Sequence, residues 1–559
     1  MADAAKKSVV AERTFAPVDD EDDSEKDVFF DDVMEWCCGS GRWQVLLVSY
    51  MSMIWLILPA ISMAMMFVGA SPDFRCADGF DANVTFSALP ADTPRCHPVG
   101  DAGASCSRWV FDTSMYESTV VTEWNLVCGR KPLLSMLQSW VMLGGIVGSA
   151  ISGQLSDRFG RKPVFLSTAV TILACAFASA LVTDYASFAA VRFVTGVAMA
   201  TLVGCHTVMT MEMAGRRTRA AFGTLSGLPF PFGIMLVAAG SYALRSHRQL
   251  QLAYAVPFVF LLSNFWLRPE SPHWLVVQGR FAEAYTILER GARCNRHPMP
   301  PKEEVLAKMR RVRDSLLARE AAAHRATGRG RQGWRQLVGS PILVRYSAVA
   351  FFISFVICGA YFGVTFDMTQ LSASPHLAAV LSALVELPSY CVFPLLDRLG
   401  RRGSLVAFLL TGAGAMLLVL ADRRPAVWMA LGLVAKFGVS AAFVGVWVLI
   451  GECMPTTVRG LAFGVCQTGV RLGGAAAPFV VDLVSDLHPA APSAVFGAAM
   501  LAAGLATLLL PETNNQPLPE TAVDIENRTS RKKAAGDLQG VSGNGTALDL
   551  EKVELSDSF

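Results

Sequence analysis

Charged residues are scarce in this chain. They make up 17% of its 559 residues, whereas hydrophobic residues make up 53%. A soluble protein usually carries about 25% charged residues, so the ordinary soluble class is excluded. The formal net charge is only +2, which argues against a nucleic-acid-binding surface and a nucleic-acid partner. The apolar residues are grouped in runs of about 20, the length that crosses a bilayer, and they predict a polytopic all-α membrane protein with the lipid bilayer as its surroundings.

Enzymatic motifs are also absent. The chain has no glycine-rich phosphate loop, no HExxH motif, no metal-spaced set of Cys and His, and no Gly-x-Ser-x-Gly elbow. We therefore expect no enzyme, no catalytic residue, no metal and no cofactor, and the missing nucleotide site argues against a primary pump. The acidic amino-terminal segment lacks the features of a cleaved signal peptide, so the first span is expected to direct its own insertion.

Twelve apolar segments predict twelve transmembrane helices. They lie at about residues 45–69, 133–154, 163–182, 186–211, 220–242, 249–268, 344–366, 376–396, 403–421, 426–452, 460–482 and 491–510. The expected domains are a cytosolic segment 1–44, a first six-helix bundle 45–268 containing an extracellular loop 70–131, a cytosolic helical linker 269–343, a second bundle 344–510 and a cytosolic tail 511–559. Arg and Lys residues concentrate in the linker and in the loops on its side, which places that side and both termini in the cytosol.

The loop after the first span carries features of an extracellular cap. It contains an even set of four cysteines and the sequon Asn83-Val84-Thr85, which predicts glycosylation at Asn83. Two disulfides are expected on the oxidising side of the membrane, with three pairings possible. The cysteines are Cys76, Cys96, Cys106 and Cys128.

A set of charged residues is repeated at a fixed interval. Asp397 follows Asp157 by 240 residues, and the same interval separates Glu452 from Glu212 and Arg459 from Arg219. Six spans, a long polar linker and six more spans with a parallel repeat are typical of two pseudo-symmetric halves that enclose a substrate path, the architecture of the major facilitator superfamily.

Several longer segments, in their order along the chain, resemble the organic ion transporters, a branch of that superfamily that includes cation, anion and carnitine carriers. The resemblance covers about residues 28–526. It implies plasma-membrane transport of small organic ions, driven by a substrate gradient or by a coupling ion that the sequence does not identify. The segments are Phe30-Asp31-Asp32, Gly41-Arg42-Trp43-Gln44, Glu123-Trp124-Asn125-Leu126-Val127-Cys128, Val191-Arg192-Phe193-Val194-Thr195-Gly196, Arg268-Pro269-Glu270-Ser271-Pro272-His273-Trp274-Leu275, Gly279-Arg280-Phe281-Ala282-Glu283-Ala284, Val385-Glu386-Leu387-Pro388, Gly451-Glu452-Cys453-Met454-Pro455-Thr456-Thr457-Val458-Arg459 and Leu510-Pro511-Glu512-Thr513.

The repeated charges predict a cytosolic gate. Carboxylate–guanidinium pairs are strong when partly desolvated and separate once water enters, which suits a reversible latch between the halves. We expect the latch to hold when the carrier opens outward and to part when it opens inward. The alternative is that these charges only anchor loops and fix topology. The candidate gate residues are Asp157, Arg158, Arg161, Glu212, Arg219, Asp397, Arg401, Glu452 and Arg459.

Four ionisable residues inside predicted spans are candidates for the substrate path, because charges there usually face a cavity or a partner. They are Arg471, Glu386, Lys436 and His206. By resemblance, Arg471 occupies a position that carries Asp in many cation carriers and Arg in anion and carnitine carriers, which favours substrates with an anionic group. Glu386 would suit the cationic group of a zwitterion. The alternatives are that Arg471 and Glu386 neutralise each other, that Lys436 neutralises Glu386, and that His206 is a packing residue rather than a proton relay.

Aromatic residues complete the candidate site. Tyr361 and Phe362 match, by resemblance, a position that lines the substrate cavity, and Phe230 and Phe232 flank a proline in the fifth predicted span. Aromatic faces stack on flat organic ions and attract cations, although the same residues also serve ordinary helix packing.

The sequence as a whole predicts a secondary or facilitative transporter of small organic anions or zwitterions. One alternative is an organic cation facilitator that uses Glu386 and the aromatic residues, and another is a transporter-like receptor or scaffold that moves no solute. The chain ends in Asp557-Ser558-Phe559, a weak match to the ligands of PDZ-type domains.

Overall fold

The structure is a computed structural model that describes residues 29–81, 84–90, 93–99, 104–215, 218, 222–223, 225–327, 337–372, 374–421, 424–455, 458–514, 516 and 519. Three sequence predictions lie outside the described residues. They are the glycosylation site at Asn83, the gate residue Arg219 and the carboxyl-terminal docking motif.

Six spans form the first half. Span 1 is Arg42–Val68, built from the helices Arg42–Ser52, Ile54–Ile57, Pro59–Ser62 and Met65–Val68. Spans 2 to 5 are Lys131–Phe159, Arg161–Leu181, Tyr185–Met213 and Pro229–Ala243. Span 6 is His247–Leu267, in which Pro257 precedes a 3₁₀ turn, Phe260–Ser263, that leads into the last helical turn, Asn264–Leu267. Proline removes a backbone donor, which accounts for the breaks at Pro59 and Pro257.

Six further spans form the second half. Span 7 is Pro341–Leu371, span 9 is Arg401–Leu418, span 10 is Pro425–Cys453 and span 12 is Ala491–Thr507. Span 8 is broken into Pro375–Glu386, a 3₁₀ turn Leu387–Cys391 that contains Pro388, and Phe393–Leu399. Span 11 is Arg459–Phe479, continued by a π-helical turn, Val480–Val484. All twelve spans fall where the hydropathy of the sequence predicts them.

Length and composition alone identify most of these spans. Among the described residues, eight helices are long and apolar enough to cross a membrane, and spans 5 and 12 are shorter apolar helices. Span 8 is divided by its 3₁₀ turn, and span 11 carries two arginines, Arg459 and Arg471, among several glycines. The structure is therefore an all-α membrane protein of twelve spans in two halves.

The two halves pack alike and meet along two pairs of spans. In the first half span 3 packs against spans 4 and 6, and in the second half span 9 packs against spans 10 and 12. Spans 2 and 11 pack together across the halves, and so do spans 5 and 8. Any path between the halves therefore runs beside spans 2, 5, 8 and 11.

The loop between spans 1 and 2 forms a small cap on one face, called the cap face below. Strands Phe74–Cys76 and Trp109–Phe111 pair antiparallel, with Cys76 opposite Trp109. Disulfides join Cys76 to Cys106 and Cys96 to Cys128, which selects one of the three pairings that the sequence allows. Short helical segments complete the cap at Phe86–Ala88, Val120–Trp124 and Cys128–Arg130.

The opposite face, called the linker face below, carries a helical subdomain. Its helices are Phe30–Cys38, which precedes span 1, and Pro272–Val277, Phe281–Asn295 and Lys302–Thr327 of the linker. They share an apolar core that includes Val33, Leu288 and Val305. Cys37 also lies in this core, and burial raises the pKa of its thiol to about 12. The amino-terminal segment therefore packs with the linker rather than standing apart from it.

Candidate functional site

The charged residues of the first half converge at the linker-face ends of spans 2 and 4. Gly160 turns the chain between spans 2 and 3 with φ of +99°, a value that favours glycine. The next residue, Arg161, places Nη2 2.9 Å from Asp157 Oδ1 and 3.0 Å from Glu212 Oε1. Its backbone N–H donates to Glu270 Oε1 at 3.1 Å, at the amino terminus of span 3. These residues, Asp157, Arg161, Glu212 and Glu270, are called the first charged cluster.

The second half repeats this arrangement. Nη1 of Arg401 lies 2.9 Å from Asp397 Oδ1, and its Nε lies 3.2 Å from Glu452 Oε2. The backbone N–H of Arg401 donates to Glu512 Oε1 at 2.8 Å. Asp397, Arg401, Glu452 and Glu512 are called the second charged cluster. Gly400, with φ of +82°, makes the turn that Gly160 makes in the first half.

Glu270 and Glu512 were not among the predicted gate residues. Each follows a proline, in Arg268-Pro269-Glu270-Ser271 and Leu510-Pro511-Glu512-Thr513, and they lie 242 residues apart. Glu270 accepts backbone N–H groups at the start of span 3, and Glu512 accepts them at the start of span 9. The near match to the 240-residue interval is the signal by which the sequence alone identifies them.

The remaining predicted gate residues make other contacts. The Arg158 guanidinium lies 5.3 Å from the centroid of the Phe159 ring, and Nε of Arg459 donates to the Met454 carbonyl at 3.3 Å. Both charged clusters keep their ion pairs inside one half. Within the described residues these two clusters therefore form no ion pair across the halves, and the latch stays a prediction for the opposite conformation.

Polar contacts that do join the halves lie on the cap face. Within the described residues, Lys131 Nζ meets Asp486 Oδ1 at 2.6 Å, and Ser135 Oγ donates to Asp482 Oδ2 at 2.6 Å. One turn deeper, Ser139 Oγ donates to the Ala475 carbonyl at 2.7 Å. These three contacts join span 2 to span 11 and to the turn that follows span 11, and they are called the cap-face bridge. None of their residues was predicted from the sequence.

A second contact on the cap face joins spans 5 and 8. Nε2 of His376 lies 3.3 Å from Ser241 Oγ. The imidazole stacks on Phe67 of span 1 with ring centroids 5.1 Å apart and contacts the edge of Tyr242 at 5.7 Å. Rings from the first half thus surround a side chain from the second.

Near the middle of the second half, three predicted site residues form one buried group. Lys436 Nζ lies 3.4 Å from Glu386 Oε2, and both side chains are at most 5% exposed. Tyr361 donates its hydroxyl to Glu386 Oε2 at 2.8 Å, and the ammonium lies 3.2 Å from the centroid of the Tyr361 ring. Lys436 also donates to Thr365 Oγ1 at 2.9 Å. Lys436 therefore neutralises Glu386, as one of the alternatives above has it.

Arg471 lies on the boundary between the halves and is not paired with Glu386. It packs over Gly145 of span 2, where an added Cβ would stand 3.1 Å from Arg471 Cδ and Nε. Its Nε is buried without a hydrogen-bond partner, and the guanidinium has no ion pair within the described residues. Gly145 thus leaves room for an uncompensated cation at mid-depth between spans 2 and 11.

The predicted aromatic residues fall into two groups. Tyr361 contacts Phe362 and Phe443, with ring centroids 5.6 and 6.0 Å apart, and Phe443 continues to Trp447 at 6.3 Å. Phe443 and Trp447 belong to span 10 and were missed, because no periodic signal separates them from ordinary lipid-facing residues.

The first half holds the other group. Trp55 Nε1 donates to His206 Nε2 at 3.2 Å, and the Trp55 ring meets the edge of Phe230 with centroids 6.3 Å apart. His206 is 1% exposed, so the geometry agrees with the packing alternative for this residue. Phe232, which is 46% exposed, lies on a different face of span 5 and does not join this group.

One small, partly open cavity, of about 50 Å³, lies within the first half rather than between the halves. Arg192, Gln251 and Tyr254 are among its lining residues. Arg192 donates Nη2 to Gln138 Oε1 at 2.9 Å and Nη1 to the Ile61 carbonyl at 3.3 Å, so it braces spans 1, 2 and 4. This cavity is separate from Arg471 and from the cap-face bridge.

Comparison with known proteins agrees with this arrangement. Residues 102–524 match the family model described as "Sugar (and other) transporter". The chain is 31% identical over 512 residues to the organic cation transporter protein of Drosophila melanogaster, which covers 84% of this chain and 91% of that protein. It is 30% identical over 541 residues to solute carrier family 22 member 6 of Mus musculus, with coverage of 91% and 96%.

A solved structure shows the same fold. A proton:xylose symporter of the major facilitator superfamily, bound to 6-bromo-6-deoxy-D-glucose, superposes with a TM-score of 0.56. The match covers 86% of this chain and 97% of the symporter at 17% sequence identity. The twelve spans described above thus have the major facilitator arrangement.

Proposed function

The chain belongs to the organic ion transporter family of the major facilitator superfamily, and from this premise we propose that it carries small organic anions, or zwitterions with an anionic group, by alternating access across the plasma membrane. That it is a multi-pass transporter of organic ions follows from its relatives. The preference for substrates with an anionic group goes beyond the relatives and is the proposal.

One observation carries the preference. Of the ionisable groups placed near the middle of the halves, Glu386 and Lys436 already neutralise each other, whereas the Arg471 guanidinium has no ion pair within the described residues. The Arg471 side chain is half-buried, with Nε buried, and an unpaired guanidinium there raises the local potential and offers a two-pronged donor that matches a carboxylate. An anion bound there would supply the missing partner, so the uncompensated charge favours anionic substrates over cationic ones.

The aromatic group of the second half suits the rest of such a substrate. Tyr361, Phe362 and Phe443 present ring faces and edges next to the paired charges of Glu386 and Lys436. An organic anion with an aromatic or flat body would stack there while its carboxylate reaches Arg471. A cationic substrate would instead have to displace Lys436 from Glu386, which strands a buried ammonium.

The orientation follows from charge and from the cap. The linker face carries most of the Arg and Lys residues of the loops, and the cap face carries both disulfides. We therefore propose that the cap face lies outside the cell and the linker face in the cytosol, with both termini inside.

Uptake by cells that express the full chain tests the proposal. Labelled p-aminohippurate, carnitine and tetraethylammonium represent an anion, a zwitterion and a cation. We expect uptake of p-aminohippurate, and of carnitine to a smaller extent. Uptake of tetraethylammonium alone would establish the cation facilitator instead. No uptake of any probe despite normal surface expression would support the receptor or scaffold.

Variants of Arg471 test the residue itself. Charge-assisted hydrogen bonds contribute about 1.5–3 kcal/mol, so we expect Arg471→Asp to lower p-aminohippurate uptake roughly 10- to 100-fold at equal surface expression. Arg471→Lys is the matched control, since it keeps the charge but loses the planar fork, and it should retain part of the uptake. Anion uptake that survives Arg471→Asp would overturn the assignment.

A further inference from the structure

Asp482 is a carboxylate at the junction of three spans. It lies in the π-helical turn of span 11 and is 5% exposed. It accepts a hydrogen bond from Ser135 of span 2 at 2.6 Å and one from Gln370 of span 7 at 2.9 Å. Spans 7 and 11 belong to the second half, whereas span 2 belongs to the first. One buried side chain thus links both halves.

The partners of Asp482 make its energy depend on the conformation of the carrier. Within the described residues no cation contacts it, since Lys131 is paired with Asp486 one turn further out. A buried carboxylate is costly unless its oxygens accept strong hydrogen bonds. Gln370 moves with Asp482 as part of the second half, but Ser135 does not. Opening the cap face therefore removes the hydrogen bond from Ser135, and Asp482 keeps only the hydrogen bond from Gln370.

Asp482 and Arg471 lie on the same side of span 11. Positions 471, 475 and 482 recur at helical intervals of four and seven residues, and each contacts span 2. The matching positions on span 2 are Gly145, Ser139 and Ser135, in the same order. A separation of spans 2 and 11 must therefore disturb the packing at Arg471 and the hydrogen bond at Asp482 together.

We propose that Asp482 is the positioning residue that holds the extracellular gate closed, through Ser135, and that the contact between spans 2 and 11 couples this gate to the site at Arg471. The gate itself rests on the geometry of the cap-face bridge. Its extracellular placement and its coupling to substrate rest on the function proposed above. Loss of the Asp482 carboxylate shifts the carrier from the conformation that opens to the linker face toward the one that opens to the cap face.

Two cysteine reporters, each introduced singly into the full chain, measure this shift. The first reporter, Ala475→Cys, replaces a residue that is buried under the gate. The second, Gly464→Cys, lies two turns from Arg471 toward the linker face. Gly464 is exposed, and a Cβ added there would have no atom within 4 Å. A membrane-impermeant methanethiosulfonate reagent is applied to intact cells for the first reporter and to inside-out vesicles for the second. The four cap cysteines are disulfide-bonded, so the outside background is low. Labelling of the exposed Cys294 and Cys391 is subtracted by using the chain without a reporter.

We expect Asp482→Ala to raise the labelling rate at Ala475→Cys about 10-fold and to lower the rate at Gly464→Cys. The control is Glu117→Ala, which removes an exposed carboxylate of the cap that is not part of the cap-face bridge, and it should change either rate less than 2-fold. Asp482→Glu keeps the carboxylate and should restore most of the closed population. The reciprocal change separates gate opening from simple loss of structure, because unfolding raises labelling at both reporters.

A disulfide across the same contact gives an independent result. The double variant Ser135→Cys with Asp482→Cys places two thiols where the two oxygens lie 2.6 Å apart. Oxidation should abolish uptake of whichever of the three probes the unmodified protein carries, and reduction should restore it, whereas neither single variant should respond to oxidant. Unchanged labelling at both reporters in Asp482→Ala, or uptake that persists in the cross-linked protein, would overturn the proposal. Neither outcome depends on Arg471 being the substrate contact, so the two proposals fail separately.

Discussion

The two faces of the molecule use polar side chains in opposite ways. On the cap face Ser135, Asp482 and Lys131 bind across the boundary between the halves. On the linker face the ion pairs of Arg161 and Arg401, at 2.9 to 3.2 Å, join each arginine to acidic residues of its own half. The linker-face charges are duplicated at a fixed interval, whereas the cap-face bridge has different residues on its two sides. Duplication therefore marks the parts that brace each half, and the asymmetric contacts mark where the halves hold together.

The burial of span 2 follows the same division. Its cap-side residues Leu137, Ser139 and Val141 are buried, whereas Ala150 and Ile151 on the linker side are exposed. Together with the cap-face bridge, this describes a carrier closed on the cap face. In that conformation a latch between the charged clusters is expected to be open.

The largest expected effect comes from breaking the first charged cluster. Arg161→Ala leaves the largely buried Glu212 carboxylate without its guanidinium, and loss of one partner of a buried pair costs about 3 kcal/mol of folding free energy. Arg401→Ala should cost less, because Glu452 is more exposed and keeps the hydrogen bond from Thr513 Oγ1 at 2.6 Å. Thermal unfolding of the two purified variants beside the unmodified protein measures the difference.

This pair of variants sharpens the comparison between the faces. If the linker-face clusters brace the halves separately, each variant lowers the unfolding temperature even when the cap-face bridge is locked by the disulfide between positions 135 and 482. Should locking the bridge cancel both losses, the clusters would act on the contact between halves and the distinction drawn here would fail.

An intermediate effect is expected at Asp157. Its side chain is 71% exposed and forms an i to i+4 pair with Arg161, so Asp157→Asn should change stability by no more than about 0.5 kcal/mol. Uptake should nevertheless fall several-fold, because in the opposite conformation Asp157 would pair across the halves. Initial uptake rates at matched surface expression measure this loss. The equivalent variant of the other half, Asp397→Asn, is measured beside it. Normal surface expression with unchanged transport kinetics in Asp157→Asn would contradict the predicted latch.

The amino-acid sequence predicts the fold well for a physical reason. Apolar runs of membrane length are local signals, and the charges repeated at 240 residues define the two halves before any contact is known. Glu270 and Glu512 lie 242 residues apart, close to this interval, so the sequence also contains the signal that identifies them. Arg471 is identified because a charge inside an apolar run is unusual.

Which groups pair is not a local property. Glu386 binds Lys436 rather than Arg471 because spans 8 and 10 pack together in the second half, a fact that periodicity in one helix does not contain. In the sequence Asp482 is only the last residue of a predicted span, where a carboxylate ordinarily contacts water. Ser135 and Gln370 belong to residue types that occur throughout membrane helices. The cap-face bridge thus depends on tertiary geometry alone.

The smallest expected effect comes from Glu512, and it depends on pH. Partial burial raises the pKa of Glu512, but the backbone N–H groups of Asn514, Arg401, Thr513 and Gly403 outweigh it, so the pKa lies below its ordinary value. A carboxyl group with a lowered pKa stabilises the folded protein fully above the pKa of the unfolded chain, about 4.3, and this contribution is lost as the pH falls through the folded-state value. A carboxylate at a helix amino terminus contributes about 0.3–1 kcal/mol, so Glu512→Gln should lower stability by that amount at pH 7.

The pH dependence separates charge from hydrogen bonding at this position. The stability difference between the unmodified protein and Glu512→Gln should begin to shrink as the pH falls below about 4.3, where the unfolded chain takes up the proton, and it should vanish below the lower pKa of the folded state, where both side chains are neutral. Thermal unfolding at pH 7 and at pH 3.5 to 4 measures it, with Asp486→Asn on the cap face as a control for a general effect of acid. A difference that stays constant with pH would mean that the shape of the side chain, and not its charge, holds the start of span 9. Glu512 would then not belong with the charged groups that brace the second half on the linker face.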